Sequence, residues 1–325
     1  MICIDKIRSA RRRLDGHVRL TPIISSPFLD KIAGRRILIK AECLQHTGSF
    51  KYRGAWAAIS ALDEGSRKNG VVAYSSGNHA QAIAAVAKEF GVPAVIVMPS
   101  DAPSLKIENT RAYGAEVVIY DRYKEVREEI GLKIASVRGL TLIKPYDDEN
   151  VIAGQGTLGL EIASQVRAEG VRTADVLVCC GGGGLASGVA LALSEEMPEL
   201  RVRPCEPEFY DDTARSLISG NREINEKHKN SICDAILTPT PGEITFPILA
   251  RFAGPGLVVS EKEVLIAMSE AFRRLKLVTE PGGVVALASA LSRRNEIETE
   301  AVVVVITGGN VDPKTFSRAL NYSHV

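Results

Sequence analysis

The sequence predicts an α/β protein whose mostly parallel strands are covered by helices on both faces. Apolar runs of strand length alternate with helix-length segments along most of the 325 residues. Several of those runs, AVIVMP (94–99), DVLVCC (175–180) and AVVVVIT (301–307) among them, are apolar without alternation, as strands buried on both faces are. Three helix starts follow small, polar or glycine-rich residues, at HTGSFK (46–51), SSGN (75–78) and CGGGGL (180–185). In such folds these strand-to-helix loops are where ligands are held.

Taken in order, ILIKAE (37–42) reads as a strand, and 49–62 as a helix with Ser49 as its N-cap. VVAYS (71–75) is a short strand, and 78–90 is an Ala-rich helix closed by Gly91. AVIVMP follows, then a helix over 104–113 closed by Gly114. EVVIYD (116–121), a helix to about 138 and LTLIKP (140–145) complete a β-α-β-α-β series. In the second half, 156–168, 185–195, 261–276 and 281–291 read as helices. DVLVCC, LRVRPCE (200–206) and AVVVVIT read as strands. The stretch 208–256 is the least regular and is expected to contribute loops to a site.

Composition narrows the function classes. Lys+Arg is 40 and Asp+Glu 39, a formal net charge of +1, which removes the electrostatic argument for nucleic-acid or anionic-membrane binding. Aromatics at 5% argue against a base-stacking platform. No stretch approaches 18 consecutive apolar residues, so no membrane span is expected. The charged N-terminal residues do not form a secretory leader. Six cysteines show no C-x-x-C spacing, and read as small buried hydrophobes of a reduced, cytoplasmic protein. The expected partner is a small molecule.

Gly181, Gly182, Gly183 and Gly184 stand between a buried strand and a helix. Without Cβ atoms the backbone there can fold into an anion-binding nest at a helix N-terminus. The same stretch satisfies G-x-G-x-x-A through Gly181, Gly183 and Ala186, with Glu206 lying 23 residues after Gly183, so an NAD-binding oxidoreductase stays open on the residues alone. Lys51 sits at a helix start, where the helix dipole disfavours its ammonium and favours a nucleophilic amine. Glu206, Asp211 and Asp212 bracket EPEFYDD, a spacing that suits Mg²⁺, Mn²⁺ or Ca²⁺ as well as a solvated acidic loop. His79 is expected on the exposed side of its helix start. No H-E-x-x-H and no G-x-S-x-G occurs, which leaves zinc catalysis and a hydrolase elbow unsupported.

Seven segments, HTGSFKYRGA (46–55), SSGNHAQA (75–82), VIAGQGT (151–157), CGGGGLASG (180–188), EPEFYDD (206–212), TEPGG (279–283) and ITGGN (306–310), together resemble the fold type II pyridoxal-phosphate enzymes. The nearest group is the serine/threonine dehydratases and serine racemases. The resemblance implies a tryptophan synthase β-like fold of two open, twisted, mostly parallel sheets. Residues 1–68 and 148–325 would form a large cofactor-binding domain, and 69–147 a small mobile one. It implies pyridoxal 5′-phosphate as cofactor, Lys51 as the lysine that joins it covalently, Phe50 beside its ring, Asn78 at its 3′-oxygen, Gly181–Gly184 around its phosphate and Thr307 at its ring nitrogen. Ser75, Ser76, Asn78 and His79 would receive the substrate carboxylate. Ser76 would be the acid/base on the opposite face in a racemase, and Thr238 a substrate-contacting hydroxyl. Glu206, the Tyr210 carbonyl and Asp212 would hold a divalent cation, Mg²⁺ or Mn²⁺. A homodimer is implied.

The activity implied is loss of the β-hydroxyl from a small hydroxy amino acid, giving a 2-oxo acid and ammonia, with serine racemisation as the alternative and a silent cofactor-binding protein as another. The chain departs from the group at Ala80 and at Asp234-Ala235, where glycine is frequent. CDAILTPTPGE (233–243) resembles the dehydratases of hydroxyectoine breakdown, so a hydroxyectoine-derived or 3-hydroxyaspartate-type substrate is within the expectation. Little chain follows ITGGN, which leaves no room for the regulatory domain of biosynthetic threonine dehydratases.

Overall fold

A computed structural model describes residues 2–102, 104–226 and 229–323. Its strands are β1 (Ile23–Ile24), β2 (Arg36–Ala41), β3 (Val71–Tyr74), β4 (Ala94–Pro99), β5 (Glu116–Tyr120), β6 (Thr141–Leu142), β7 (Ala174–Cys179), β8 (Leu200–Pro207), β9 (Leu257–Val259) and β10 (Ala301–Ile306). They form a six-stranded sheet of order β1-β2-β10-β7-β8-β9 and a four-stranded sheet of order β5-β4-β3-β6. Every pairing is parallel except β1 with β2. The unbroken apolar runs pair as the sequence predicts: Val302–Val305 of β10 lie beside Asp175–Val178 of β7, and β2, β7 and β10 are buried almost throughout. Parallel strands all deliver their loops at one edge, and ligand crevices form outside their C-terminal ends. Here β3 leads into SSGN, β7 into Gly181–Gly184, and β10 into Thr307.

Several predicted bounds shift, each for a local reason. The helix expected over 156–168 spans Glu149–Ala168, because the Asp148 side chain caps it by accepting from the N–H groups of Asn150 and Val151. Ser49 is not an N-cap; it is extended, pairs with Gly308 and precedes a helix running Lys51–Ser60. The strand expected over 140–145 is two residues long, and the chain then turns toward the six-stranded sheet at Pro145 and Tyr146. The 261–276 helix ends in a π turn, Ala271–Leu275, closed by Lys276 in the left-handed region. Cys3 is exposed, while the other five cysteines are buried and free.

The helix that begins at Lys51 is held from behind by a buried charge cluster. The Arg53 guanidinium donates to both carboxylate oxygens of Glu42 and of Glu161 at 2.7–2.9 Å. Glu161 also accepts from Lys40 and Arg11. Removing one partner from such a cluster strands a buried charge, at a cost of about 3–5 kcal/mol. The glycines of VIAGQGT serve this packing. A Cβ at Gly154 would fall 2.6 Å from the Arg53 carbonyl oxygen, and one at Gly156 would fall 2.9 Å from that of Gly188.

Candidate active site

The loops at the C-terminal ends of β3, β7 and β10 meet the Lys51 helix around one pocket. Phe50, Lys51, Ser75, Ser76, Asn78, His79, Gly181–Gly184, Thr238 and Thr307 all line it. Lys51 Nζ donates to the Pro145 carbonyl at 2.7 Å, and burial pushes its pKa down to about 8. Thr307 joins two walls of the pocket: its carbonyl accepts from Phe50 N–H at 3.1 Å, and its N–H donates to Gly283 at 2.9 Å.

The four-glycine loop is shaped from outside. The carbonyl of Gly182 accepts from Thr245 Oγ1 at 2.7 Å and from Gly242 N–H at 3.2 Å. Because a trans peptide points C=O and N–H in opposite directions, the Gly183 N–H faces away from those partners. Gly183 has φ +88°, in the left-handed region that favours glycine. Tyr146 lies against the loop so closely that a Cβ at Gly182 would fall 2.3 Å from its ring. Among the described residues no protein acceptor takes the N–H of Gly181, Gly182 or Gly183. Free N–H groups at the start of the Gly184–Glu196 helix, with the positive end of its dipole, suit an anionic ligand.

His79 is buried, contrary to the exposed position expected for it. Its Nε2 lies 3.2 Å from the Ile143 carbonyl, so that nitrogen carries the proton. Burial lowers its pKa to about 3, and the ring is neutral at ordinary pH. Ala80 is also buried, in a regular helix with negative φ, and Ala235 needs no positive φ either. Neither departure from glycine strains the backbone.

Lys106, Arg127, Tyr146, Asp234 and Glu280 also line the pocket, and the sequence alone assigns none of them a role. Glu280 sits inside TEPGG, and that motif is its only signal. Burial raises its pKa to about 7; Oε1 accepts from Asn78 Nδ2 at 2.5 Å, and Oε2 has no partner among the described residues. Lys106 bonds Asp234 across the pocket at 2.9 Å. The guanidinium of Arg127 bonds Glu128 at 2.8 Å and lies 5.3 Å over the Tyr74 ring. Neither cation falls in a recognisable motif. Only the fold brings them to the pocket.

Glu206 and Asp212 lie elsewhere. Glu206 is fully buried and accepts from the N–H groups of Thr213 and Ala214 at 3.0 and 2.7 Å, where the Asp212–Ser219 helix begins. It does not line the pocket, so it cannot be the ribose acid of a dinucleotide site at Gly181–Gly184. Asp212 accepts from Asn225 through Oδ1, while its buried Oδ2 has no partner among the described residues. Burial holds both carboxyls toward the neutral form, Asp212 to about 7, and the neighbouring Asp212 charge adds to the rise at Glu206. The Tyr210 hydroxyl donates to the Lys229 carbonyl at 2.7 Å. Among the described residues no group of three His, Cys, Asp or Glu side chains is placed to hold a metal.

The pocket joins a buried lysine of weakened basicity to a glycine loop with free N–H groups, and the chain belongs to the pyridoxal-phosphate dependent enzyme family, which matches residues 14–308. The NAD alternative is thereby corrected. The chain is 42% identical over 317 residues to an L-threo-3-hydroxyaspartate ammonia-lyase of Pseudomonas sp., covering 97% of each chain. It is 38% identical to a serine racemase of Schizosaccharomyces pombe, covering 98% of this chain and 97% of that protein. The solved structure of a T.th. threonine deaminase superposes with a TM-score of 0.90 at 41% identity, covering 95% of this chain and 99% of that one. The fold is that of the fold type II enzymes. No helix among the described residues is long and apolar enough to cross a membrane.

Proposed function

We propose that the protein is a pyridoxal-phosphate-dependent ammonia-lyase acting on a small β-hydroxy amino acid that carries a second carboxylate, of the 3-hydroxyaspartate type. The observation that carries this reading is the company Lys51 keeps. Its weakened amine shares the pocket with two further cations, Lys106 and Arg127, and a monocarboxylic substrate would leave them without a substrate anion. Identity to the Pseudomonas enzyme supports it.

Bound to Lys51, the cofactor supplies an electron sink for the bond broken at Cα. The N–H groups of Gly181–Gly184 would hold its phosphate, Phe50 would pack beside its ring, and Asn78 and the Thr307 hydroxyl would meet its 3′-oxygen and ring nitrogen. Ser75, Ser76, Asn78 and neutral His79 receive the α-carboxylate, and Thr238 lies beside the substrate. Freed by the substrate's amine, Lys51 would take the Cα proton and return it to the departing β-hydroxyl, which leaves as water. The released enamine tautomerises and adds one water, giving a 2-oxo acid and ammonia. A hydroxyl at the ring nitrogen, where a carboxylate would enforce protonation, suits elimination. Residues 69–147 act as a small lobe closing on 1–68 and 148–325. The separate four-stranded sheet and the Lys106–Asp234 pair between the two parts support this.

Racemisation is a second reading. It is favoured by the half-buried Ser76 in the same pocket and by the serine racemase relative. We also propose that Glu206, the Tyr210 carbonyl and Asp212 hold Mg²⁺ or Mn²⁺. The orphaned Asp212 oxygen and the neighbouring buried Glu206 carboxyl fit a cation, and a rise in melting temperature with MgCl₂ that Asp212→Asn abolishes would check it. The buried free cysteines support a reducing, cytoplasmic setting, and the family likeness supports a homodimer.

Purified protein is to be offered L-threo- and erythro-3-hydroxyaspartate, serine, threonine and a hydroxyectoine-derived hydroxy amino acid. Each is scored for 2-oxo acid, ammonia and inverted enantiomer. Dominant inversion of serine would favour the racemase, and no turnover of any of them would favour a silent cofactor-binding protein.

Two further outcomes follow from the geometry. An ordinary lysine is mostly ammonium below its usual pKa of 10.5, whereas Lys51 loses its proton near 8. The rate at which the cofactor-free protein takes up pyridoxal phosphate should therefore rise with pH and level off just above about 8, as rapid-mixing absorbance would follow. Gly182→Ala would drive a methyl into Tyr146, and overpacking of this kind costs about 1–3 kcal/mol. Cofactor affinity by equilibrium dialysis should fall roughly 10- to 100-fold, and the melting temperature should drop by about 2–4 °C per kcal/mol of overpacking.

A further inference from the structure

Asn78, at the first turn of the Asn78–Phe90 helix, is gripped at both ends of its amide by residues from outside the four-stranded sheet's lobe. Asn310 Nδ2 donates to the Thr47 carbonyl at 2.8 Å and to Asn78 Oδ1 at 2.8 Å. Asn78 Nδ2 donates to Glu280 Oε1 at 2.5 Å. The two ends of an amide have similar shapes, so its orientation follows from the network around it. Here the network has one member that cannot reverse. A backbone carbonyl only accepts, so the end of Asn310 facing Thr47 must be its nitrogen. That nitrogen has two N–H groups, and the second is spent on Asn78, which must answer with its oxygen. The Asn78 nitrogen is thereby turned the other way. One of its N–H groups goes to Glu280, and the other is left for the pocket that Asn78 lines.

The starting carbonyl is itself held. Thr47 has φ +57°, in the left-handed region that a β-branched residue rarely adopts. It is flanked by a turn in which Gly48 N–H donates to Gln45 at 3.0 Å and Gly309 N–H donates to the Gly48 carbonyl at 2.9 Å. Strain of this kind persists only where the surroundings over-determine it.

We propose that Asn310 is a positioning residue: referenced to the Thr47 carbonyl, it fixes the Asn78 amide so that Asn78 offers an N–H donor, not a carbonyl, to the anionic 3′-oxygen of the cofactor. This rests on the pyridoxal-phosphate reading. Asn310→Asp keeps the shape and removes both donors. The carboxylate then repels the Thr47 carbonyl and attracts the Asn78 nitrogen, so Asn78 reverses: its oxygen meets Glu280, which must then carry a proton to donate to it, and faces the 3′-oxygen where a donor stood.

The test uses the cofactor-loaded full chain, its visible absorption spectrum and its cofactor Kd by dialysis with pyridoxal phosphate as the probe. Asn310→Asp is expected to move absorbance from the visible band to shorter wavelength, because the 3′-oxygen can no longer stay anionic, and to raise Kd about 10-fold or more. Asn310→Ser, which loosens the amide without reversing it, is expected to give a mixture of the two bands, and keeps the proposal testable if the aspartate variant does not fold. Wild-type spectra and Kd in folded variants would overturn the role of Asn310. Absence of any visible band in the wild-type protein supplied with pyridoxal phosphate would instead overturn the cofactor reading beneath it.

Discussion

Lys51→Ala is expected to lower turnover of the preferred hydroxy amino acid by on the order of 10⁴-fold or more, since one side chain supplies both the covalent anchor and the base at Cα. The variant should also lose the visible band that borohydride bleaches in the parent. Its fold should survive. The only hydrogen bond of Lys51 Nζ among the described residues goes to the Pro145 carbonyl. The helix it starts is held by Arg53, two residues on, through Glu42 and Glu161. Compared without cofactor, the alanine variant should melt close to the parent, because burial disfavours the Lys51 ammonium that it removes. A variant that retained the bleachable band would place the covalent anchor elsewhere.

Arg127→Met is expected to separate substrates. Leaving a carboxylate desolvated without its guanidinium costs about 2–5 kcal/mol, so kcat/KM for 3-hydroxyaspartate should fall between roughly 30-fold and several thousandfold. Serine, with no second carboxylate, should change by less than about 5-fold. Among the described residues Arg127 is spent on Glu128 and the Tyr74 ring, so its loss breaks no buried cluster. Equal losses on both substrates would mean that Arg127 supports the pocket wall and does not read the distal carboxylate.

Much of the fold is legible because its strands announce themselves. AVIVMP and DVLVCC are apolar on both faces, and helices between such runs leave few ways to arrange the chain. The glycine loop is legible because four glycines at a helix start have few other uses. What the sequence obscures is set by tertiary partners. The early start of the Glu149–Ala168 helix depends on one capping aspartate inside a polar stretch. His79 reads as exposed because its neighbours at the helix start are polar, yet its helix packs into the boundary between the two sheets. Lys106, Arg127 and Glu280 come from distant parts of the chain, and no local pattern marks them as neighbours. Glu206 shows the converse error: correct spacing for a ribose acid, overruled by a carboxylate turned into the start of a helix.

A single progress curve decides whether the protein is an ammonia-lyase of 3-hydroxyaspartate. Purified protein loaded with pyridoxal phosphate is given L-threo-3-hydroxyaspartate, and 2-oxo acid and ammonia are followed together. Both should appear in equal amounts, at a rate exceeding that on serine and threonine, and neither should appear with the Lys51→Ala protein. Inversion of the substrate without ammonia release, or equal product from both proteins, would contradict it.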